Sequence, residues 1–456
     1  MSSANGMHVL YVHQNYPAQF GHVARHLAQR PGWRCTFVSQ TPGGMDQGIQ
    51  KIQYRLSGGA TIQTHFCSRT FENAVWHTDA VYQALQDRPE LKPDLIVGHS
   101  GFGSTLFLPD LYPHTPIVNF FEYFYRPHAP DDDMDFRHDL GWPVAMRKYH
   151  RARARNGMIL LDLHNCDAGY TPTEFQRGRF PQEYQPKLQT IFDGVDRSIY
   201  HGHEETLRPP PSQRLARTLP GGVEVGPQTR VVSYVSRGFE SMRGFDIFMR
   251  VAERIAQLYD DVVFIVVGSD KMAYGGDEDH IGPSKTFKQW VLSRKTWNLS
   301  KFRFVGRLEP VELARLLASV DLHIYLTVPF VLSWSMMDAM SCGAVVLASG
   351  TAPVREMIQD GINGLLGDFF DVDALAAKAV EALRDPAALR PLGRAAEQMV
   401  QERYSLEAVL PKMLKLYEEA VSRRPPMPLS ATKAPPAFGV EPINNAAPDA
   451  KSPFRM

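Results

Sequence analysis

DLHIYLTVPFVLSWSMMDAMSCGAVVLASGTAPVREMIQDGINGLL, residues 321–366, is the stretch that decides the fold of the second half of the chain. The apolar run 322–326 predicts a buried strand, and Pro329 marks a loop. Helical spacing follows at 335–342, and a second short apolar run at 345–347 predicts the next strand. The stretch therefore predicts a strand, a loop, a helix and a second strand in succession.

The beginning of this predicted helix has the features of an anion site. Ser333 and Ser335 lie where N-cap residues are expected, so free backbone N–H groups face whatever the loop borders. The positive end of a helix dipole binds anions such as a diphosphate. Asp338 follows one turn later, on the part expected to be exposed, where a carboxylate can accept hydrogen bonds from the vicinal hydroxyls of a ribose. Together these features predict a nucleotide site.

The same residues resemble the nucleotide-sugar site of the family-4 retaining glycosyltransferases. That family has two Glu separated by seven residues, then Ala-Met-x-x-Gly, a strand, and a helix bearing another Glu. DAMSCG at 338–343 and Glu356 match this pattern. Two departures are that Phe330 occupies the position of the first Glu and that the retained acid, Asp338, is Asp. The resemblance therefore supports nucleotide binding more firmly than it supports chemistry.

In the same family two cations follow the first strand of the second domain and bind the donor diphosphate. Arg237 and Arg243, in RGFESMRG, match these positions, with Arg243 in place of the usual Lys. A surface ion pair with Glu240 is the alternative interpretation. The resemblance also implies that the turn at Gly268 lets a nucleotide approach the backbone, that Arg307 borders the base, and that Glu356 faces the donor sugar or diphosphate.

The first half of the chain alternates strand-like and helical patterns, which predicts a parallel sheet covered on both faces. Ligands gather at the carboxyl ends of such strands. His13 and Asn15 follow the first predicted strand, His99 follows a middle one and Glu122 ends the next, so we expect these loops to share one crevice edge on the acceptor side. The family usually has a His where Glu122 stands. We expect Glu122 to contact the reacting sugar, or else to pair with Arg126 or a backbone amide.

Composition predicts the linker and the tail, and the resemblance implies the roles of the two domains. Residues 1–202 form a Rossmann-like acceptor-side domain, 203–229 a Pro- and Gly-rich linker, and 230–404 the nucleotide-sugar domain. Residues 405–422 resemble the terminal helix that crosses back to the first domain, and the Pro-rich tail 423–456 is predicted to be disordered. The predicted fold class is α/β, of the GT-B type, with two doubly wound Rossmann-like domains facing a central cleft.

Composition excludes several classes of function. The chain has 49 Lys plus Arg and 49 Asp plus Glu, so its formal net charge is zero. A net charge of zero does not favour binding to nucleic acid. The four cysteines are scattered without metal-ligand spacing, which indicates reduced thiols in a cytoplasm. The N-terminus lacks the pattern of a signal peptide, and no apolar run is long enough to span a membrane.

Four further motifs have a structural interpretation beside a functional one. Gly101-Phe102-Gly103 superficially resembles a dinucleotide fingerprint, but its third Gly is missing, so a tight turn is favoured. Metal binding is a possible interpretation of the acidic run at 131–135, but a solvated loop is favoured. It is also a possible interpretation of the His-Gly-His-Glu run at 201–204, but linker residues are favoured there. The basic run at 147–155 suits acidic lipid headgroups or a lipid-linked diphosphate acceptor, although a solvated helix face is the simpler interpretation.

The resemblance implies a metal-independent transferase that moves a sugar, with retention of configuration, from a nucleotide diphosphate sugar to an acceptor hydroxyl. Catalysis is assigned to Glu122, Arg237, Arg243 and Asp338. The acceptor is expected to be lipid-linked or a saccharide of the cell surface, with no separate cofactor, and the location cytoplasmic, at most peripheral to the inner membrane face. The rival hypotheses are a nucleotide-sugar 2-epimerase and a non-catalytic nucleotide-sugar-binding partner of an active transferase.

Overall fold

The computed structural model describes residues 6–129, 133–202, 213–274 and 276–423, and the side chains of 133 and 134 are not described. The first half contains one sheet, in which all strands except the short edge strand β3 pair in parallel. Its strands are β1 (His8–Val12), β2 (Arg34–Ser39), β3 (Gly44–Asp46), β4 (Ile49–Gln53), β5 (Leu95–His99), β6 (Ile117–Phe120), β7 (Ala168–Thr171) and β8 (Leu188–Thr190). The strands β3 and β4 form one edge of this sheet.

The order of this sheet is β3-β4-β2-β1-β5-β6-β7-β8, so β1 lies between β2 and β5. The chain adds strands on one side of β1 first and on the other side from β5 onward, so the order of the strands reverses at β1. Such a reversal opens a crevice at the carboxyl edge. The helices that cover the sheet are α1 (Gly21–Ala28), α2 (Arg69–Gln86), α3 (Leu108–Leu111), α4 (Asp133–Phe136), α5 (Met146–Asn165) and α6 (Glu174–Gly178). The predicted doubly wound arrangement of the first domain is confirmed.

The predicted linker contains an ordered hairpin. Strands β9 (Arg217–Leu219) and β10 (Val223–Val225) pair in antiparallel fashion through a turn in which Gly221 and Gly222 have φ of +80° and +71°. Leu219 and both valines of β10 are buried in the core, because alternate side chains of the hairpin face the second domain. The described part of the predicted linker therefore packs as a hairpin, while 203–212 lie outside the described residues.

The second domain repeats the architecture in a parallel sheet of order β13-β12-β11-β14-β15-β16. Its strands are β11 (Arg230–Gly238), β12 (Val262–Ser269), β13 (Phe302–Gly306), β14 (Leu322–Tyr325), β15 (Val346–Ser349) and β16 (Leu365–Gly367). Its helices are α7 (Phe245–Leu258), α8 (Phe287–Ser293), α9 (Pro310–Ser319), α10 (Trp334–Ser341), α11 (Ala352–Arg355), α12 (Val372–Arg384) and α13 (Arg390–Met399), the last continued by a π-helical turn at Val400–Tyr404. The unit predicted from 321–366 is thus β14, α10 and β15.

The last helix, α14 (Leu406–Arg423), returns to the first domain. Val195 and Ser405 form a β-bridge, and Val195 N–H donates to the carbonyl of Tyr404 at 2.8 Å. The buried side chains of α14, including Met413 and Tyr417, join the core that also contains Tyr11 of β1. Burial of this apolar face stabilises the crossing. The tail from 424 onward lies outside the described residues.

A segment that follows the acidic run connects the two domains in front of the cleft. Arg137 donates to both carboxylate oxygens of Asp246, at 3.1 and 2.6 Å, and to the carbonyl of Ser241. Trp142 stacks on His280 with ring centroids 4.8 Å apart. Residues 131 and 132 of the acidic run lie outside the described residues.

Among the described residues, no helix is long and apolar enough to cross a lipid bilayer.

Candidate active site

The three polar loops predicted to meet at the carboxyl edge of the first sheet do so. β1, β5 and β6 are neighbours and parallel, so the residues that end them lie side by side. The rings of His13 and His99 have centroids 5.1 Å apart, and the His99 ring lies 5.0 Å from that of Phe120. Asn15 is exposed, and its backbone N–H donates to Nδ1 of His13 at 2.8 Å. This edge forms the first-domain wall of the cleft.

Both histidines of this wall are neutral at pH 7. Burial, with a smaller electrostatic contribution from His99, lowers the pKa of His13 to about 3. Burial lowers the pKa of His99 to about 4. Nδ1 of His99 lies 2.9 Å from the carbonyl of Ser100 and therefore carries the proton, so Nε2 presents a lone pair. That buried Nε2 has no hydrogen-bond partner among the described residues.

The turn after His99 is held by the first domain itself. Asp162 of α5 accepts hydrogen bonds from the Ser100 hydroxyl at 3.0 Å and from Gly101 N–H at 2.8 Å. Gly101 and Gly103 have φ of +83° and +72°, and a Cβ on Gly103 would lie 1.9 Å from the carbonyl oxygen of Ala74. The glycines therefore permit a tight turn packed on α2, as the structural interpretation predicted.

Glu122 follows β6 and is half-buried beside the cationic side of the cleft. Burial raises the pKa of its carboxyl group, and the charges of Arg237, Arg243 and Arg155 oppose that shift. Its backbone carbonyl accepts a hydrogen bond from Gln176 at 2.5 Å. Arg126, one of the partners considered from sequence, donates instead to the carbonyl of Gly178 at 3.3 Å.

Asp193 is a cleft residue that the sequence analysis did not select. It is buried after β8, and its Oδ2 accepts a hydrogen bond from Nε1 of Trp334, the first residue of α10, at 2.8 Å. Burial raises the pKa of Asp193 to about 7. The hydrogen bond from Trp334 lowers this pKa, and the nearby Glu122 charge raises it. The sequence signal for this residue is the Asp-Gly-Val-Asp turn at 193–196.

The second-domain wall carries permanent charge. Arg243 is buried, and its guanidinium donates to the hydroxyl oxygens of Thr327 at 2.7 Å, Tyr274 at 3.2 Å and Tyr325 at 3.5 Å. Burial lowers the pKa of Arg243, but the Tyr274 and Tyr325 oxygens and Glu240 outweigh it, so the net direction is upward. The exposed Arg237 lies 5.7 Å from the ring of Tyr274.

Glu240 does not form the surface ion pair that was the alternative interpretation. It is buried, and its Oε2 accepts hydrogen bonds from the backbone N–H groups of Ala273 and Tyr274, both at 2.9 Å. Glu240 therefore positions the Tyr274 segment, and the two arginines face the cleft without a carboxylate bound directly to either among the described residues.

The N-terminus of α10 adjoins Arg243. Ser333 is the N-cap, and its hydroxyl accepts a hydrogen bond from Ser335 N–H at 3.3 Å, as predicted for this stretch. Ser333 N–H donates to the Tyr325 hydroxyl at 3.0 Å, and that hydroxyl is also 3.5 Å from Arg243. One hydroxyl therefore joins the guanidinium to the positive end of the helix, which concentrates positive potential at one point.

Asp338 is the fifth residue of α10 and is partly buried, whereas an exposed position was expected. The reason is that α10 packs against the end of the first domain. There the hydroxyl of Ser341, on α10, donates a hydrogen bond to the carbonyl of Tyr200 at 2.5 Å. Burial raises the pKa of Asp338 to about 8.

Three other predicted donor residues lie in different settings. Glu356 accepts hydrogen bonds from the N–H groups of Glu174, at 3.0 Å, and Phe175 at the start of α6, and so joins the two domains. A Cβ on Gly268 would lie 2.0 Å from the carbonyl oxygen of Ser236, so glycine is needed there for the packing of β12 on β11. Arg307 is exposed after β13.

Phe330 occupies the position where the family has its first Glu. It is buried, and its ring lies 4.5 Å from that of Tyr123 of the first domain and 5.3 Å from that of Tyr274 of the second. An aromatic contact across the cleft therefore replaces a carboxylate. Among the described residues, no three His, Cys, Asp or Glu side chains come together in a way that could hold a metal ion.

Comparison with known proteins identifies the family to which this fold belongs. Residues 31–199 match the model for the glycosyl transferase family 4 group, and residues 229–385 match the model for glycosyl transferases group 1. The chain therefore combines a family 4 group domain with a group 1 domain of the glycosyl transferases. The two matched ranges of this glycosyltransferase correspond to the two Rossmann-like domains on either side of the cleft.

Solved structures show the same GT-B architecture. The glycosyltransferase is similar to sucrose-phosphate synthase from Thermosynechococcus elongatus, with a TM-score of 0.66 and 16% identity over 92% of this chain and 100% of that one. It is also similar to HepE of Anabaena, solved with UDP-glucose, with a TM-score of 0.62 and 15% identity over 91% and 100% of the two chains. These likenesses confirm the predicted GT-B fold.

A relative of known activity matches over a shorter range. Phosphatidyl-myo-inositol mannosyltransferase of Mycolicibacterium smegmatis is 26% identical over 196 residues, which cover 41% of this glycosyltransferase and 45% of the relative. The glycosyltransferase therefore spans less than half the length of this relative.

Proposed function

We propose that the chain transfers a sugar from a nucleotide diphosphate sugar to an acceptor hydroxyl, with retention of configuration. The observation that carries this proposal is the arrangement of Arg243, Arg237 and the N-terminus of α10 around Tyr274 and Tyr325. The guanidinium of Arg243 is bound by neutral hydroxyls, so its charge is not neutralised by a contacting carboxylate. A diphosphate supplies the missing anion.

The chemistry follows from this electrostatic arrangement. When the bond from the sugar to the diphosphate breaks, negative charge develops on the leaving oxygen and positive charge on the sugar. Arg237, Arg243 and the N-terminus of α10 stabilise the leaving group, and each charge-assisted contact contributes about 1.5–3 kcal/mol. Asp338 is assigned to the ribose. The half-buried Glu122 is assigned to the electron-deficient sugar.

The acceptor is assigned to the first-domain wall. His13 and His99 are neutral, so they can exchange hydrogen bonds with sugar hydroxyls without a charge. The Nε2 lone pair of His99 accepts a hydrogen bond from such a hydroxyl. HepE, which shares the fold, was solved with UDP-glucose, and this supports a nucleotide sugar as donor. Retention and metal independence rest on the resemblance, and the acceptor is proposed to be a saccharide or lipid-linked, in the cytoplasm or at the inner membrane face.

Phe330 supports a second candidate, a non-catalytic partner that binds the nucleotide sugar without turnover. The carboxylate that the family places beside the donor sugar is replaced by a ring packed between Tyr123 and Tyr274. A nucleotide-sugar 2-epimerase of the same architecture is the enzymatic rival.

The test is to incubate the purified full chain with a panel of UDP-, ADP- and GDP-sugars and measure release of the nucleoside diphosphate, with and without saccharide acceptors. Transfer is expected to continue in EDTA and to give a product whose anomeric configuration, measured by NMR, equals that of the donor. Binding without release favours the non-catalytic partner. A rearranged free nucleotide sugar formed without acceptor favours the epimerase, and an inverted product contradicts retention.

A further inference from the structure

A cavity of about 410 Å³ lies beside the candidate active site, between α5 of the first domain and the second domain. Phe330 and Tyr274, which border the cleft, also line this cavity. Arg155 of α5 lines it too, and its charge is one of those that oppose the rise in the pKa of Glu122 caused by burial. The cavity is therefore adjacent to the place where the reaction is proposed to occur.

Two arginines one turn apart on α5 supply the charge of this cavity. The guanidinium of Arg155 lies 4.4 Å from the centroid of the Tyr125 ring, and that of Arg151 lies 5.0 Å from the centroid of the Phe66 ring. Within the described ranges, neither side chain forms an ion pair, and the buried Nε of Arg151 has no hydrogen-bond partner. Aromatic contacts orient both groups but leave their charges uncompensated.

The acidic residues on the opposite wall form no ion pair with Arg151 or Arg155 within the described ranges, because each is bound elsewhere. Asp279 pairs with Lys148 at 3.2 Å. Asp277 accepts hydrogen bonds from both the backbone N–H and the hydroxyl of Ser241. Glu278 accepts a hydrogen bond from the N–H of Gly276.

A third cation increases the repulsion. Arg69 of α2 donates to the carbonyls of Thr64 at 3.0 Å and Ile62 at 2.9 Å, so backbone contacts hold it in place. Burial lowers the pKa of Arg151, and the charges of Arg155 and Arg69 lower it further. Positive charges held together without an anion cost free energy, and a bound anion removes that cost.

The site is also built rigidly. Asn156, buried next to Arg155 in the chain, accepts a hydrogen bond from Tyr125 N–H at 3.0 Å and donates to the Tyr125 carbonyl at 2.8 Å. This pair of bonds fixes Tyr125, and through it the Arg155 guanidinium, before any ligand arrives. Preformed positions are typical of binding sites and are not needed on a solvated helix face.

We propose that Arg151 and Arg155 bind a phosphate group carried by the acceptor, and so place the hydroxyl of the acceptor beside Glu122. The proposal rests on the proposed transferase function and assigns the acceptor to a chemical class, the phosphorylated saccharides, polyols or lipids. Arginine suits this task because its planar fork of N–H groups binds phosphate oxygens bidentately.

The test uses the full chain, with and without a saturating nucleoside diphosphate (UDP, ADP or GDP). Calorimetry compares glycerol 3-phosphate with glycerol. Co-sedimentation compares phosphatidylcholine vesicles that contain phosphatidylglycerol with phosphatidylcholine vesicles that contain the same fraction of diacylglycerol, which lacks a phosphate. Arg151→Ala and Arg155→Ala are each expected to weaken binding of the preferred phosphate probe by about tenfold. Arg153→Ala is the matched control, since Arg153 is exposed on the same helix and does not line the cavity. Arg151→Gln is used if the Ala variant melts early.

Binding of glycerol 3-phosphate identifies a soluble phosphorylated acceptor, and binding only to phosphatidylglycerol vesicles identifies a lipid phosphate. The proposal is overturned if neither probe is preferred over its neutral counterpart, or if Arg153→Ala causes an equal loss. Failure of every nucleoside diphosphate to bind would overturn the proposed function but not the phosphate site. The two are separable because the phosphate probes are also titrated without any nucleoside diphosphate.

Discussion

The two walls of the cleft differ in charge although each contains buried titratable side chains. On the first-domain wall, burial lowers the pKa of His13 and His99 to about 3 and about 4, so both are neutral at pH 7. On the second-domain wall Arg243 is equally buried but remains charged, because the intrinsic pKa of arginine is too high for burial to remove its proton. Burial thus produces a neutral surface suited to hydroxyls opposite a cationic surface suited to a diphosphate.

The strongest test of this comparison is Glu122, the carboxylate between the two walls. Glu122→Gln is expected to lower kcat by about 100-fold or more, because a preorganised charge beside the reacting sugar is lost. Steady-state kinetics measures the effect, with Glu309→Gln, an exposed carboxylate before α9, as control. A Gln variant that turns over at the parental rate but melts at a lower temperature would make Glu122 a structural residue.

The charge of the second-domain wall is tested by removing its two cations separately. Arg243→Ala is expected to weaken nucleoside diphosphate binding and turnover by about 100-fold and Arg237→Ala by about tenfold, since the buried Arg243 is held in position and Arg237 is exposed. Calorimetry measures the binding, and Arg254→Ala, an exposed arginine of α7, is the control. Unchanged affinity in both variants would remove the diphosphate from this wall.

The neutrality of the first-domain wall is tested through stability at acid pH. Because the pKa of His99 is lower in the folded state than in the unfolded chain, the unfolded state binds more protons as pH falls below about 6.5. His99 therefore contributes stability that is complete above that pH and is lost toward about 4. Between pH 7 and pH 5 the parent is expected to lose about 2 kcal/mol more than His99→Asn, as measured by urea unfolding. Equal losses would mean that His99 is protonated in the folded protein.

The smallest effect is expected at Asp338. It tests whether this residue of the second-domain wall contributes to donor binding or to the chemical step. Asp338→Asn is expected to raise the donor KM by about tenfold with little change in kcat, because the ribose contact that we propose is the same in the ground and transition states. A fall in kcat at unchanged KM would instead place Asp338 in the chemistry, in the role of the carboxylate missing at Phe330.

Local sequence patterns predicted a large part of this arrangement. The succession β14, α10, β15, the N-cap at Ser333, and the positions of Arg237 at the end of β11 and of Arg243 after it follow from residues close together in the chain. The loops after β1, β5 and β6 were also brought together correctly, because parallel strands align their carboxyl ends. What these features share is dependence on periodicity, capping and strand direction, which short stretches encode.

Only the tertiary structure decided the contacts between residues far apart in sequence. The bond from Trp334 to Asp193, the bonds from Glu174 and Phe175 to Glu356, and the partly buried position of Asp338 all depend on how the two domains pack. No local pattern specifies which of two distant polar groups will meet, since that is set by the strand order and by the return of α14. Sequence alone therefore determined the elements and the family resemblance, whereas burial and long-range packing determined which side chains are charged, which are neutral and which are bound.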